Sequence, residues 1–292
     1  MVTAGLAAGL ATGGFPWFAR EIAQVLLIVV MMFSLTEVAF SGLSARAESR
    51  GFAIAVGANY GVLSGVLMLF ALLSLEPAIR NGWALMAAVP PAVAVIPLTS
   101  YLRGDVRRSL ISTALLYLLG LIVVPVVTLL FAAQVVAFTD LVLQTLLLIG
   151  LPLLLSRPLR RSPRIAGARP TIVGVSFFFL VLAVAGSARG TLLGSPELVA
   201  SLSFLSFLRT FALGVLLLAV TRRLRIARAD QVAVATFGTF KNLALTIVLA
   251  FSFFGESATV PSIVSLVFEV GWLAVLPLLF RGAEEPSLRM DA

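Results

Sequence analysis

Apolar runs of about twenty residues follow one another along almost the whole chain, each long enough to cross the hydrocarbon core of a bilayer as a helix. They fall at about 22–41, 52–75, 82–102, 107–132, 138–156, 171–188, 198–221, 230–254 and 260–280. The runs are continuous rather than alternating, so they read as helices and not as strands of a membrane barrel. Only 12% of the residues are charged, against about 25% in a soluble domain. The pattern predicts an all-α polytopic membrane protein. The opening segment, "MVTAGLAAGLATGGFPWF", is apolar but short and glycine-rich. It is either a tenth span or a surface segment, and its length and glycines favour a surface or frayed segment. No cleavable signal peptide is read there, because the first 18 residues lack a basic start.

The loops orient the spans. Alternate loops carry Arg46 and Arg50; Arg103, Arg107 and Arg108; Arg157, Arg160, Arg161, Arg164 and Arg169; then Arg222, Arg223, Arg225 and Arg228. With Arg281 and Arg289 in the tail, sixteen arginines lie on one side, against Arg20, Arg80 and Arg189 on the other. Basic loops stay cytoplasmic, so the expectation is a multi-pass protein of the inner (cell) membrane with its tail, 281–292, in the cytoplasm. The net charge of +8 is then a topology signal rather than the footprint of nucleic acid. With no cysteine and no histidine there are no disulfides, thiolates or imidazole bases, and the usual zinc and copper ligands are missing. No metal centre and no cofactor are expected, and the expected partners are membrane lipid and a small molecule.

Two spans carry breaks. In "WALMAAVPPAVAVIPLTSYLRGD", Pro90, Pro91 and Pro97 fall mid-span, and proline removes an amide donor from a helix. In "ADQVAVATFGTFKNLALTIVLAFSFFG" the break is placed at Gly238, Thr239, Phe240, Lys241 and Asn242. Each broken span is followed by one long helix, over 82–132 and 230–280. Paired breaks at corresponding positions point to an inverted-repeat transporter, with one repeat over 22–132, the other over 138–280, and 1–21 outside both. Two ordinary kinked helices would give the same pattern.

Three charges lie near mid-span: Arg209, Lys241 and Glu269. Each costs at least about 2.5 kcal/mol at mid-bilayer, so such groups face the bundle interior and pair. Glu269 can neutralise one of the two cations. The other then favours an anionic ligand or stands in for a bound metal cation. The plainer reading is a structural salt bridge, with Arg209 or Lys241 snorkelling to the interface. Glu37 and Asp140 sit near span ends and read as interfacial. Lys241 is the only lysine among twenty arginines, and lysine, unlike arginine, can release its proton.

"VPPAVAVIPLTSYLRGDVRRSLISTALLYLLGLIVVPVV" and "GTFKNLALTIVLAFSFFGESATVPSIVSLVFEV" resemble the two crossover regions of the bile acid:sodium symporter family, and the second also resembles the related arsenite efflux permeases. The resemblance implies a panel domain, a core domain with two crossing broken helices, and sodium-coupled movement of organic anions by alternating access. It places Ser109 and Thr113 at hydroxyl ligands of one sodium position, Asn59 where the family often has glutamine, and Asn242 at the crossover asparagine. The expected Ser-Asn pair falls at Val95 and Ile96, and the expected acidic residue at Phe237, which removes much of both sodium sites. Lys241 takes a position often held by glutamine beside the sodium.

The resulting expectation is a secondary transporter of a small organic anion, in which Lys241 replaces the coupling cation. Transport is then sodium-independent, or proton-coupled if the lysine titrates. The alternatives are a sodium-coupled symporter, an efflux permease related to the arsenite carriers, a membrane sensor or scaffold, and an intramembrane enzyme with Lys241 as base to Thr239 or Ser252. The arsenite reading lacks its cysteine and the acidic residue of its second crossover, since Pro91 and Leu243 occupy those positions. An enzyme is not expected, because no serine sits in a recognisable nucleophile turn.

Overall fold

The computed structural model describes residues 1–37, 49–132, 137–160 and 163–281. Among these residues the regular structure is all helix. In chain order the helices are α1 (Val2–Thr12), α2 (Ala19–Ser34), α3 (Ser49–Leu73), α4 (Pro77–Ala88), α5 (Val95–Tyr101), α6 (Val106–Ala132), α7 (Phe138–Leu159), α8 (Pro163–Ser187), α9 (Arg189–Gly194), α10 (Pro196–Arg223), α11 (Arg228–Phe237), α12 (Leu243–Phe254) and α13 (Val260–Arg281). Six segments are long and apolar enough to cross a membrane: α3, α6, α7, α10, Ile165–Ser187 of α8 and Ser257–Phe280, which contains most of α13. The chain is a multi-pass membrane protein. The tail 282–292, Arg46, and the side chains of Glu37, Arg161, Arg164 and Arg281 lie outside the described residues. Asp140 is exposed in the first turn of α7.

The helices pack in two groups. α8 lies against α1 and α2, and α2 against α7. The second group contains α3–α6 and α10–α13, and it meets the first where α12 touches α2 and α8 and where α6 touches α7.

Residues 2–12 are not frayed. Gly5 and Gly9 are buried, and a Cβ on either would stand 2.6 Å from a backbone oxygen of α8, that of Phe178 or Leu182. Small residues four apart let two membrane helices approach this closely. The glycines that suggested fraying are the surface that docks α1.

Both interruptions have local causes. α4 stops at Ala88 because Pro90 and Pro91 offer no N–H to continue the ladder, and a residue before proline is pushed to extended backbone; Val89 has ψ 152°. Pro97 is not part of this break. It lies in the first turn of α5, where a missing N–H goes unnoticed. α11 ends at Phe237, and α12 restarts at Leu243 under an N-cap from Asn242, whose Oδ1 accepts the Leu245 N–H at 3.1 Å. The breaks touch: Asn242 N–H donates to Pro90 O at 3.0 Å. The start of α11 is pinned by buried Asp230, which accepts from Arg50 of α3 at 2.9 Å and from Arg108 of α6 at 3.5 Å.

Three long helices widen into π-helical turns, α3 over Gly57–Leu63, α7 over Leu146–Gly150 and α10 over Leu208–Ala212. Such turns bring side chains five apart towards one face and recur at functional sites.

Gly9→Leu is expected to destabilise the protein by about 1–3 kcal/mol, the usual range for overpacking. Gly57→Ala, whose Cβ would meet nothing within 4 Å, is the control. Thermal unfolding in detergent compares them, and equal melting of both variants with the parent would mean that α8 does not hold α1.

Candidate functional site

The side chain of Lys241 leaves the second break and ends inside the first. Its Nζ donates to Asn59 Oδ1 at 2.9 Å, Ser64 Oγ at 2.9 Å, Ala87 O at 3.0 Å and Val89 O at 2.9 Å. The Tyr60 ring lies on a further side, its centroid 4.7 Å from Nζ, within reach of a cation–π attraction. Lys241 is 0% exposed, so it does not snorkel. Ala87 and Val89 supply carbonyls at the C-terminal end of α4, which have no partner further along the helix. Their partial negative charge suits a cation. Asn59 also serves the other broken helix, since its Nδ2 donates to Phe237 O at 2.9 Å.

Glu269 does not pair with this ammonium. Its Oε1 accepts from Arg209 Nη2 at 2.7 Å and from the backbone N–H of Lys241 at 3.1 Å. Arg209, on the π turn of α10, is 0% exposed, and its Nε and Nη1 are buried without a protein partner. The carboxylate thus cancels Arg209 and steadies the second break near the start of α12. Lys241 Nζ is left among neutral oxygens, with no carboxylate bonded to it among the described residues.

A cavity of about 270 Å³ lies where the two helix groups meet, beside the breaks. Its wall is mostly apolar, with Val30, Val93, Val173 and Phe177 among its residues, and its polar members include Asn242 and Glu269. Asn242 spans the seam between the groups, its Nδ2 donating to Tyr117 Oη of α6 at 2.8 Å and lying 3.2 Å from Met31 Sδ of α2.

The other residues singled out by sequence lie apart from the lysine. Thr239 Oγ1 donates to Ala235 O at 2.6 Å and accepts from Trp272 Nε1 at 3.0 Å. Ser252 Oγ donates to Val248 O and accepts from Gln24. Neither hydroxyl is hydrogen-bonded to Lys241, so the structure joins neither Thr239 nor Ser252 to the lysine; the serine that meets its Nζ is Ser64. On α6, Ser109 Oγ accepts from Thr99 at 3.2 Å, while Thr113 Oγ1 is buried without a protein partner. Gly238 follows α11 with its Cα close to Leu217 of α10; a Cβ there would stand 2.6 Å from Leu217 Cδ1. Sequence reasoning missed Ser64 and Tyr60. Ser64 lies five residues from Asn59, a spacing that an ordinary helical period sends to another face, and the π turn of α3 brings both to one ammonium.

Glu269→Gln removes the only carboxylate bonded to Arg209 among the described residues. Losing one partner of a buried pair typically costs about 3–5 kcal/mol, whereas replacing both partners is milder. Thermal unfolding of Glu269→Gln and of the double variant Arg209→Met, Glu269→Gln is expected to show the single variant as the less stable. The reverse order would mean that the pair does not hold the break.

A search of curated proteins finds no match. The model of the Sodium Bile acid symporter family matches residues 24–185, from the early part of α2 to nearly the end of α8. That is 162 of 292 residues, over half of the chain. The match, the all-helical membrane fold and the paired breaks agree, and the chain belongs to the sodium bile acid symporter family of membrane transporters.

Proposed function

We propose that the protein is a secondary transporter of a small organic anion, working by alternating access without a sodium ion, with the Lys241 ammonium tethered where a coupling cation would bind. The observation that carries this reading is the cage of four neutral oxygens at 2.9–3.0 Å around Nζ. A cage of carbonyl, amide and hydroxyl oxygens is what replaces the hydration shell of an alkali cation. Val95, Ile96 and Phe237 offer no side-chain oxygen at the positions where the family resemblance asks for sodium ligands.

An anionic substrate follows from charge. Arg209 and Glu269 cancel, and Lys241 leaves the region beside the cavity one positive charge in excess. The cavity lies between the two helix groups, so sliding one against the other would expose it to alternate sides. We read the group of α1, α2, α7 and α8 as the panel and the other as the core, related internally as inverted repeats. The arginine-rich loops and the tail are assigned to the cytoplasmic side of the inner membrane. Thiol coordination of arsenite has no ligand in a chain without cysteine.

Uptake of a panel of organic anions into proteoliposomes, with a sodium, potassium or proton gradient in turn, tests this. Uptake is expected to be indifferent to sodium, and Lys241→Gln is expected to slow it by about tenfold or more, or to make it sodium-dependent, a factor corresponding to about 1.4 kcal/mol. Sodium-stimulated uptake by the unaltered protein, or a Lys241→Gln variant with unchanged rate and ion dependence, would overturn the reading.

A further inference from the structure

Glu269 carries two carboxylate oxygens, and the protein uses one of them. Both hydrogen bonds that it accepts among the described residues, from Arg209 Nη2 at 2.7 Å and from the Lys241 N–H at 3.1 Å, fall on Oε1. Oε2 has no protein partner, and it is not among the side-chain atoms sealed in without one. The open space beside Glu269 is the cavity of about 270 Å³, whose wall it forms with Phe240, Asn242 and Val270. The two donors on Oε1 belong to different elements, α10 and the second break. Together they hold the carboxylate in place, and Oε2 with it.

The other polar side chains of the wall are Ser34, Lys241 and Asn242. Lys241 Nζ is held in its oxygen cage. Asn242 caps α12 with Oδ1 and reaches Tyr117 and Met31 with Nδ2. Glu269 Oε2 is therefore a fixed acceptor in a mostly apolar wall. A carboxylate paired with a guanidinium accepts hydrogen bonds and donates none. Water can serve such an oxygen, but a ligand that fills the cavity displaces the water. A ligand with no O–H or N–H at that point leaves a charged oxygen unpaired, at its full desolvation cost. Sites built around a bonded polar group reject analogues that lack the bonding partner far more strongly than apolar sites reject a change of size.

We infer that Glu269 Oε2 is a specificity-determining acceptor, and that the cavity selects organic anions that also carry a hydroxyl or amino group over plain anions of the same size. The inference rests on the proposed anionic substrate and narrows its class. It also orients that substrate. Two carboxylates repel, so the anionic end turns away from Glu269 and the donor end turns towards it and the second break.

Modification of Glu269 by a carbodiimide and glycinamide in detergent, read by peptide mass spectrometry, tests this without a transport step. The probes are pairs in which a methyl replaces the hydroxyl: lactate against isobutyrate, malate against methylsuccinate, and mandelate against hydratropate. Glu269 is expected to be modified, because Oε2 is open. A hydroxy acid is expected to protect it at concentrations about tenfold or more below those its methyl counterpart needs. A Glu269 that stays unmodified while the exposed Glu76 reacts would overturn the inference. So would modification that the two members of every pair suppress equally or leave untouched. Neither result bears on the sodium dependence of uptake, on which the proposed function stands. Sodium-driven uptake would sink that function and leave the demand for a donor intact. Where a transported anion is in hand, the hydroxy acids are expected to compete for uptake better than their counterparts by the same factor. That preference is expected to shrink in the double variant Arg209→Met, Glu269→Gln, whose neutral amide both donates and accepts. A preference kept at full size there would take the selection away from Glu269.

Discussion

Stopping a helix inside a membrane leaves its last carbonyls without partners, and in this protein a single ammonium takes up two of them. The cost of an unsatisfied backbone group in hydrocarbon is several kcal/mol. Val89 would bear it at the end of α4, were Nζ of Lys241 not 2.9 Å away, and Ala87 O, which also accepts from Ser64, takes a second donor from the same Nζ at 3.0 Å. The charge also meets the negative end of the helix dipole. Glu269 is the counterpart at the second break, where its carboxylate binds the Lys241 amide close to the start of α12. Each broken end has received a charge of the sign it can stabilise, and the contact between the breaks follows from those two placements.

The cage also explains why α3 departs from regular helix where it does. Asn59 must reach Lys241 with its oxygen and Phe237 with its amide nitrogen, while Ser64 presents its oxygen to the same ammonium. Ser64 Oγ in turn donates a hydrogen bond to Ala87 O at 2.6 Å, which ties α3 directly to the end of α4. In a helix of 3.6 residues per turn, positions five apart diverge by well over a right angle. The wider π turn reduces that divergence. The irregular backbone is thus a consequence of collecting several oxygens around one point.

Much of the architecture is legible in the sequence because the membrane leaves few options. Continuous apolar runs can only be helices, and Pro90–Pro91 and the Gly238–Asn242 stretch mark backbone that cannot continue a helix. The residual errors share a cause. Pro97 looked like a breaker because composition does not reveal which turn of a helix a proline will occupy. Gly5 and Gly9 looked like a loose end because a glycine's partner is invisible until the facing helix is known. Glu269 had two cations to choose from, and sequence could not rank them; the choice is made by the parallel course of α10 and α13, which sets Ser206 opposite Ser265 at 2.9 Å and Arg209 opposite Glu269 one turn on. Ser64 entered the site through a backbone register that no periodicity announces.

A tethered cation changes what a transporter of this kind can do with energy. A free coupling ion enters from one side and leaves on the other, and its gradient drives the substrate. An ammonium fixed to the second break never leaves, so under the proposed reading it supplies the electrostatics of the ion and none of its work. Such a protein moves its anion downhill or by exchange, unless the ammonium gives up a proton instead. The cage bears on that alternative. Three N–H donors face four oxygens, whereas a neutral amine has two N–H groups and a lone pair that would point at one of those oxygens. Losing the proton would therefore loosen the join between α3, the end of α4 and the second break in a single step. Arginine could hold the same carbonyls but could not offer this release, which gives a physical reason for one lysine in a chain that otherwise uses arginine throughout.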